Sequence, residues 1–408
     1  MNKKTIIYIG GFELPDKNAA AQRVLSNAKI FRELGFNIIF IGIDKNLQSG
    51  IKLKDTKFTV EGFEAYSIPY PSSKIKWFKY LISIKYLKKF IEDKYTENLY
   101  AVIAYNYPAI AQYRIKKEIL KKKLLLIADV TEWYESSGGG ILFNTIKWID
   151  TTLRMRFVNL RADALITISK YLTEFYQKRK IITVNVPTLY DIENLFYDSS
   201  LTNNPNILKL VYAGSAFNPK RVNKSKNNIK DRLDKIIHIL GIIHGKRQDF
   251  ILNIYGMDKK NYLSVFPEHT QVLDKLMNNI IFHGRKPHAE IVNQIKKSDF
   301  SIFIRDIDRV IEAGFPSKFS ESISYGTPVI SNMISNIEDY AVEGKNNFTL
   351  SLSNESNQIE KMIKILNLSL EEKANMKKYC LNNKIFDYKR YNSLINSFLH
   401  KIETNNVQ

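Results

Sequence analysis

One cysteine, Cys380, is all the thiol this 408-residue chain contains. A lone thiol excludes an internal disulfide and any thiolate metal cluster, and it fits a reducing cytoplasm. Histidine is scarce as well, and the six imidazoles are scattered without zinc spacing. No uncharged apolar segment approaches the roughly 20 residues needed to cross a bilayer. The amino-terminal MNKKTIIYIGG has lysines, but its apolar run stops at Gly10, too short for a secretory core. The same loop lacks the G-x-G-x-x-G spacing of dinucleotide binders, which leaves little behind a nicotinamide reading. Acidic residues are also few: 41 Asp and Glu against 61 Lys and Arg give a formal net charge of +20. That excess favours anionic partners, whether nucleic acid, a phospholipid surface or a phosphorylated substrate, and charge does not choose among them.

What is present is alternation. With 44% hydrophobic residues the chain can bury two ordinary cores. Thr5 to Ile9 reads as a buried strand, Asn18 to Leu34 as a helix closed by Gly35, and Ile38 to Ile43 as the next strand. Strands at Leu99 to Tyr105, Leu124 to Ala128 and Ala164 to Ile168 follow, the last leading to a helix capped by Ser169. Asp191 to Asn206 is polar and aperiodic, so it reads as a linker. A second set then opens with Leu208 to Ala213 and continues through Phe250 to Tyr255, Ile280 to His283, Ser301 to Ile304 and Val329 to Ser331. The expected organisation is α/β: a first Rossmann-like domain over 1–190, the linker 191–206, a second over 207–387, and a terminal helix within 388–408.

The most informative stretch is Ala313 to Ile330, AGFPSKFSESISYGTPVI. Gly314 permits a turn, Pro316 suits a first helical position, and the amides of Ser317, Lys318 and Phe319 then point at one place. Such a helix start is an anion cradle. Glu321, one turn further, is placed to accept hydrogen bonds from a sugar diol. Gly326 ends the helix before the strand. An ordinary loop, helix and strand crossover with Glu321 solvated or capping is the other reading.

This stretch resembles the donor-binding segment of glycosyltransferase family 4, the retaining enzymes of the GT-B fold. In that family a glutamate at the place of Glu321 binds the nucleotide ribose, and the turn before it binds the diphosphate. The chain departs from the pattern at Ala313, where the family usually has a first glutamate; Glu312 is one residue off. The departure allows a variant in which Ser317 and Lys318 serve the phosphates. The resemblance implies two Rossmann-like domains facing across a cleft, donor on the second and acceptor on the first, with the terminal helix crossing back to the first.

Further candidates lie at strand ends, where ligands of open parallel sheets gather. Gly10 and Gly11 let a backbone approach closely, and Arg23 supplies a cation near them; the resemblance puts all three on the acceptor side. Asp129 and Glu132, with Trp133 and Tyr134 beside them, suit a sugar, although Asp129 as a helix cap and Trp133 as core are equally open. Gly138 to Gly140 reads as a loop able to close over an acceptor. In the second set, Gly214 and Ser215 precede a basic loop, Pro219 to Lys230, that is either solvated or set against a diphosphate. The family's lysine is best matched by Lys230, and Ser215 stands where its arginine is common. Gly284 and Arg285 match a glycine-arginine turn at the nucleobase, and Arg305 is a candidate of the same kind. The resemblance therefore implies glycosyl transfer from a nucleotide diphosphate sugar with retained configuration, no cofactor and no metal, the charge being met by Lys230, Ser317 and Lys318.

Other classes remain in view. A nucleic-acid-binding protein would explain the charge but lacks a recognisable module. A nucleotide-sugar epimerase would need acids at the sugar ring, for which Asp129 and Glu132 qualify. Lys74 to Lys94 reads as a basic helix whose stripe of Trp77, Tyr80, Leu81, Ile84, Leu87 and Ile91 either packs on the sheet or lies in a lipid interface, and Lys147 to Arg161 repeats the theme. The expectation is a glycan or lipid-linked glycan acceptor, with peripheral contact to an anionic membrane at its inner face.

Overall fold

The computed structural model describes residues 3–15, 19–48, 50–94, 98–119, 124–133, 140–193, 195, 207–222, 226 and 229–405. Most of the expected linker (194 and 196–206), Tyr134 and Gly138–Gly139 lie outside the described residues.

Two sheets carry the chain. The first is built from β1 (Thr5–Gly10), β2 (Asn37–Asp44), β3 (Phe58–Val60), β4 (Phe63–Pro69), β5 (Leu99–Tyr105), β6 (Leu125–Val130), β7 (Ala164–Thr167) and β8 (Thr183–Asn185). Its order is β3-β4-β2-β1-β5-β6-β7-β8, with every pair parallel except β3 and β4. The second contains β9 (Leu208–Ala213), β10 (Phe250–Tyr255), β11 (Ile280–Gly284), β12 (Phe300–Phe303), β13 (Val329–Ser331) and β14 (Asn347–Thr349). It runs β11-β10-β9-β12-β13-β14, parallel throughout. Each sheet is covered on both faces, which is why β1 and β6 are buried at every residue and read as continuous apolar runs.

Strand order reverses beside β1 in the first sheet and beside β9 in the second, and crevices open at the carboxyl ends of such strands. Across the gap, Ser169 caps its own helix by accepting from Leu172 N (3.3 Å) and donates to Ala313 O (2.9 Å), while Arg309 lies over the ring of Trp133 at 4.9 Å. The chain then returns. Tyr190 N donates to Phe386 O at 2.9 Å, Tyr388 N to Tyr190 O at 3.1 Å, and the Tyr388 hydroxyl to Glu33 at 2.7 Å. The helix Asn392–Asn405 that follows buries Ile395, Phe398, Leu399 and Ile402 against the helix Ala19–Glu33 and β8.

The basic segment 74–94 is two helices rather than one. Ser83, extended at φ −87 and ψ 134, separates Lys74–Ile82 from Lys85–Lys94. The second packs on the sheet through Leu87, Phe90 and Ile91, with Lys88 and Lys89 outward.

Candidate functional site

On the second sheet the site grows from one carboxylate. Asp231 is buried beside the end of β9 and accepts from the Tyr212 hydroxyl at 2.8 Å, Arg305 Nε at 2.6 Å and Lys318 Nζ at 2.5 Å. Burial acts to raise the Asp231 pKa, but the Arg305 and Lys318 cations outweigh it and hold the carboxyl well below its usual range. Burial in turn pulls the Lys318 amine down, against the pull of Asp231. Two cations on one anion leave a net positive charge in the wall. Gly214 is part of this: its φ is +137, and a Cβ there would stand 2.6 Å from Lys318 Nζ.

The helix Ser317–Ser324 starts beside that cluster. Pro316 is its cap, at φ −72 and ψ 101, not its first helical residue, and Phe319 N is already bonded to Pro316 O at 2.9 Å. The amides directed outward are therefore those of Ser317 and Lys318, which corrects the expected trio. Gly314 has an extended backbone, φ −91 and ψ 176, with only ordinary contacts around an added Cβ, so the turn does not depend on glycine. Phe315 is core, packed among Phe319, Tyr340 and Phe386. Glu312 faces away, its carboxylate accepting Ser335 N at 2.7 Å.

The opposite wall holds a correction of larger consequence. Asp129 is 0% exposed and Arg23 1%. Arg23 donates to Asp129 through Nη2 (2.7 Å) and Nε (3.0 Å), and through Nη1 to Val186 O (2.7 Å); the Tyr8 hydroxyl bonds the other carboxylate oxygen. The pair joins β1, β6 and the first helix inside the lobe. Asp129 is therefore no catalytic candidate, and Arg23 forms floor rather than a free acceptor contact. Trp133 is likewise core, edge-on to Phe175 at 5.1 Å.

Glu132 survives. One cleft is bounded by Lys230, Arg305, Gly314, Phe315 and Ser317 on one side and by Arg23, Tyr105, Thr131 and Glu132 on the other. Lys230 Nζ stands 4.0 Å from Glu132 Oε1 across it. The remaining candidates do not line this cleft. Gly10 lies against Tyr105, whose carbonyl would be 2.6 Å from an added Cβ, and Gly11 is exposed beside it. The Ser215 hydroxyl donates to Phe217 O at 3.1 Å within its own loop. Gly284 N–H and C=O are engaged with Met257 and Gly256, so they are not offered to a base, while Arg285 is exposed next to them. Glu321 Oε1 accepts from His288 Nε2 at 2.7 Å.

Sequence reasoning missed two residues. Asp231 is not among the sequence candidates, and its sign would have been its place next to Lys230. His288 carried no signal, since its partner is 33 positions away. Among the described residues, no three His, Cys, Asp or Glu side chains stand together as a metal-holding group.

Solved structures share this architecture along nearly the whole chain. Sucrose-phosphate synthase from Thermosynechococcus elongatus superposes with a TM-score of 0.65 at 10% identity, covering 99% of this chain and 100% of that one. The catalytic domain of starch synthase IV from Arabidopsis thaliana, bound to ADP and acarbose, gives 0.68 at 9% identity over 98% and 99%. The fold is GT-B. HepE from Anabaena, solved with UDP and glucose, has the same GT-B likeness, with a TM-score of 0.62 at 13% identity over 98% and 100%. Residues 208–382 match the family model for glycosyl transferases group 1, a match that takes in all six strands of the second GT-B sheet. No curated protein sequence matches the chain.

Proposed function

We propose that this chain is a retaining glycosyltransferase of the hexosyl type, moving a sugar from a nucleotide diphosphate sugar to an acceptor hydroxyl without a metal. The observation that carries the reading is the positive wall of the cleft: Arg305, held by Asp231 and backed by Lys318, with Lys230 beside it and Ser317 at a helix start. The barrier in this chemistry lies in departure of the nucleoside diphosphate, and fixed charge near its phosphates lowers it. Those cations would neutralise a diphosphate themselves. The group 1 match over 208–382, and the UDP and ADP held by HepE and starch synthase IV, support the same donor class.

The sealed Asp129 supports a front-face path, in which the leaving phosphate takes the acceptor proton and no enzymic nucleophile is needed. It also weighs against an epimerase, which loses one of its two acids. Glu132, across from Lys230, would orient the acceptor hydroxyl. We further propose membership of glycosyltransferase family 4 and a lipid-linked glycan acceptor, in assembly of a capsule, O-antigen or exopolysaccharide at the inner face of the plasma membrane. No helix among the described residues is long and apolar enough to cross a membrane.

Calorimetry with a panel of nucleoside diphosphates tests the donor site. Because a hydrogen bond to a charged group contributes about 1.5–3 kcal/mol, Lys230→Ala at the cleft, and Glu321→Ala beyond it where we place the nucleotide ribose, should each weaken the preferred nucleotide by about tenfold or more. Unchanged affinity in both variants would remove the reading.

A further inference from the structure

One helix of the first lobe turns most of its apolar residues outward. Ile141–Leu153, continued by Arg154–Val158, buries Thr151 and Arg154 along with Met155 and Val158, and turns Asp150 inward, where it accepts Ala109 N at 2.8 Å. Outward, at helical spacing, it exposes Ile141 (89%), Leu142, Trp148, Ile149, Leu153 and Phe157. A helix in contact with water only would show the reverse pattern.

The neighbouring helix Lys74–Ile82 extends the same face. Trp77 lies 5.0 Å from the ring of Phe143, and Ile75 (71%) and Phe78 stand exposed. Between the two, the helix Ala109–Arg114 adds Ile110 and Tyr113. The rim is basic. Lys74, Lys76 and Lys79 share a helix without an acid, and Arg156 and Arg161 are exposed beyond the other end.

We infer that this face docks on an anionic phospholipid bilayer, its apolar side chains sinking to the headgroup and acyl boundary and its lysines and arginines meeting the lipid charge. Charge selects this occupant over a second copy of the chain, since two such rims would repel. The inference deepens the proposed membrane-side acceptor and rests on that reading for its purpose only. The anchored helix reaches the cleft: Arg154 Nη1 donates to Asn106 O (2.8 Å), and Asn106 Oδ1 accepts Thr131 N (3.1 Å), next to Glu132. Membrane contact would thus be made two side chains, those of Arg154 and Asn106, from the acceptor wall.

The test is flotation of the full chain with phosphatidylglycerol-containing vesicles and with phosphatidylcholine alone, in low and high salt. The chain should float with the anionic vesicles, and the fluorescence of Trp77 and Trp148 should shift to the blue. Leu142→Glu with Ile149→Glu should lower the bound fraction about tenfold or more, as should the milder Ile75→Ser with Phe78→Ser, each with an unchanged circular dichroism spectrum. A chain that stays at the bottom, variants that float as well as the parent, or a dimer in ultracentrifugation that the same substitutions dissolve would each overturn the inference. Nucleotide affinity, measured alongside without vesicles, should be the same in parent and variants. Its loss in the parent would count against the transferase reading and leave the surface standing.

Discussion

Asp231 carries more of the site than any residue that touches the cleft. It is buried, and its two cationic partners are nearly so, so Asp231→Asn leaves Arg305 and Lys318 facing each other without compensation. The variant should lose about 3–5 kcal/mol in urea unfolding at pH 7, the range for breaking a buried pair by one partner. Because the folded-state pKa is depressed, the stabilisation is fully present above the unfolded carboxylate value of about 4 and is lost as pH falls through the lower folded value. The gap between parent and variant should therefore narrow in acid. Asp129 teaches the complementary lesson. In the sequence Asp129 sits at a strand end and Asp231 follows a basic loop at a helix start, and nothing local tells their surroundings apart. What separates them is Arg23 and Tyr8, which are 106 and 121 positions from Asp129 and meet it only after β1 and β6 have come together.

At the scale of the element, the helix Ser317–Ser324 is held at both ends. Gly326 follows it at φ +81, with an added Cβ only 2.8 Å from Leu381 of the helix Leu370–Asn383. Gly326→Ala should cost about 1–3 kcal/mol through the backbone conformation alone, seen as a lower thermal midpoint, and should weaken nucleotide binding as the helix start shifts. That this turn was readable while Gly314 was misread has a local cause: a glycine between a helix and a Thr-Pro strand entry has few alternatives, whereas a glycine before Phe-Pro has several. Strands legible from sequence were those with long apolar runs, such as β9 and β10. β3, β4, β8 and β14 went unseen, the short ones because runs such as TVN and NFT carry no period, and β4 because its FEAYSIP breaks the apolar run with Glu64 and Ser67. Three-residue β13 was legible only through the Gly-Thr-Pro entry before it. The break at Ser83 was hidden for the converse reason, since apolar residues on both sides keep one helical stripe while packing on different neighbours.

Across the whole molecule, the terminal segment belongs to the first lobe as much as to the second. Deleting residues 388–408 would uncover the partners of Ile395, Phe398, Leu399 and Ile402, each burial contributing roughly 1.5–3 kcal/mol. Together these rival the total stability of an ordinary domain. The truncated chain should unfold at a clearly lower temperature, and the first transition in calorimetry should be the one that moves.

The twin backbone bonds at Tyr190 have a mechanical corollary. Outgoing and returning chain are stitched to each other where they pass between the lobes, a seam that stands beside the Ser169–Ala313 contact, like two pages sewn at the spine. Turning the lobes about this seam would keep its two bonds, whereas sliding them would break both, at about 0.5–1.5 kcal/mol each.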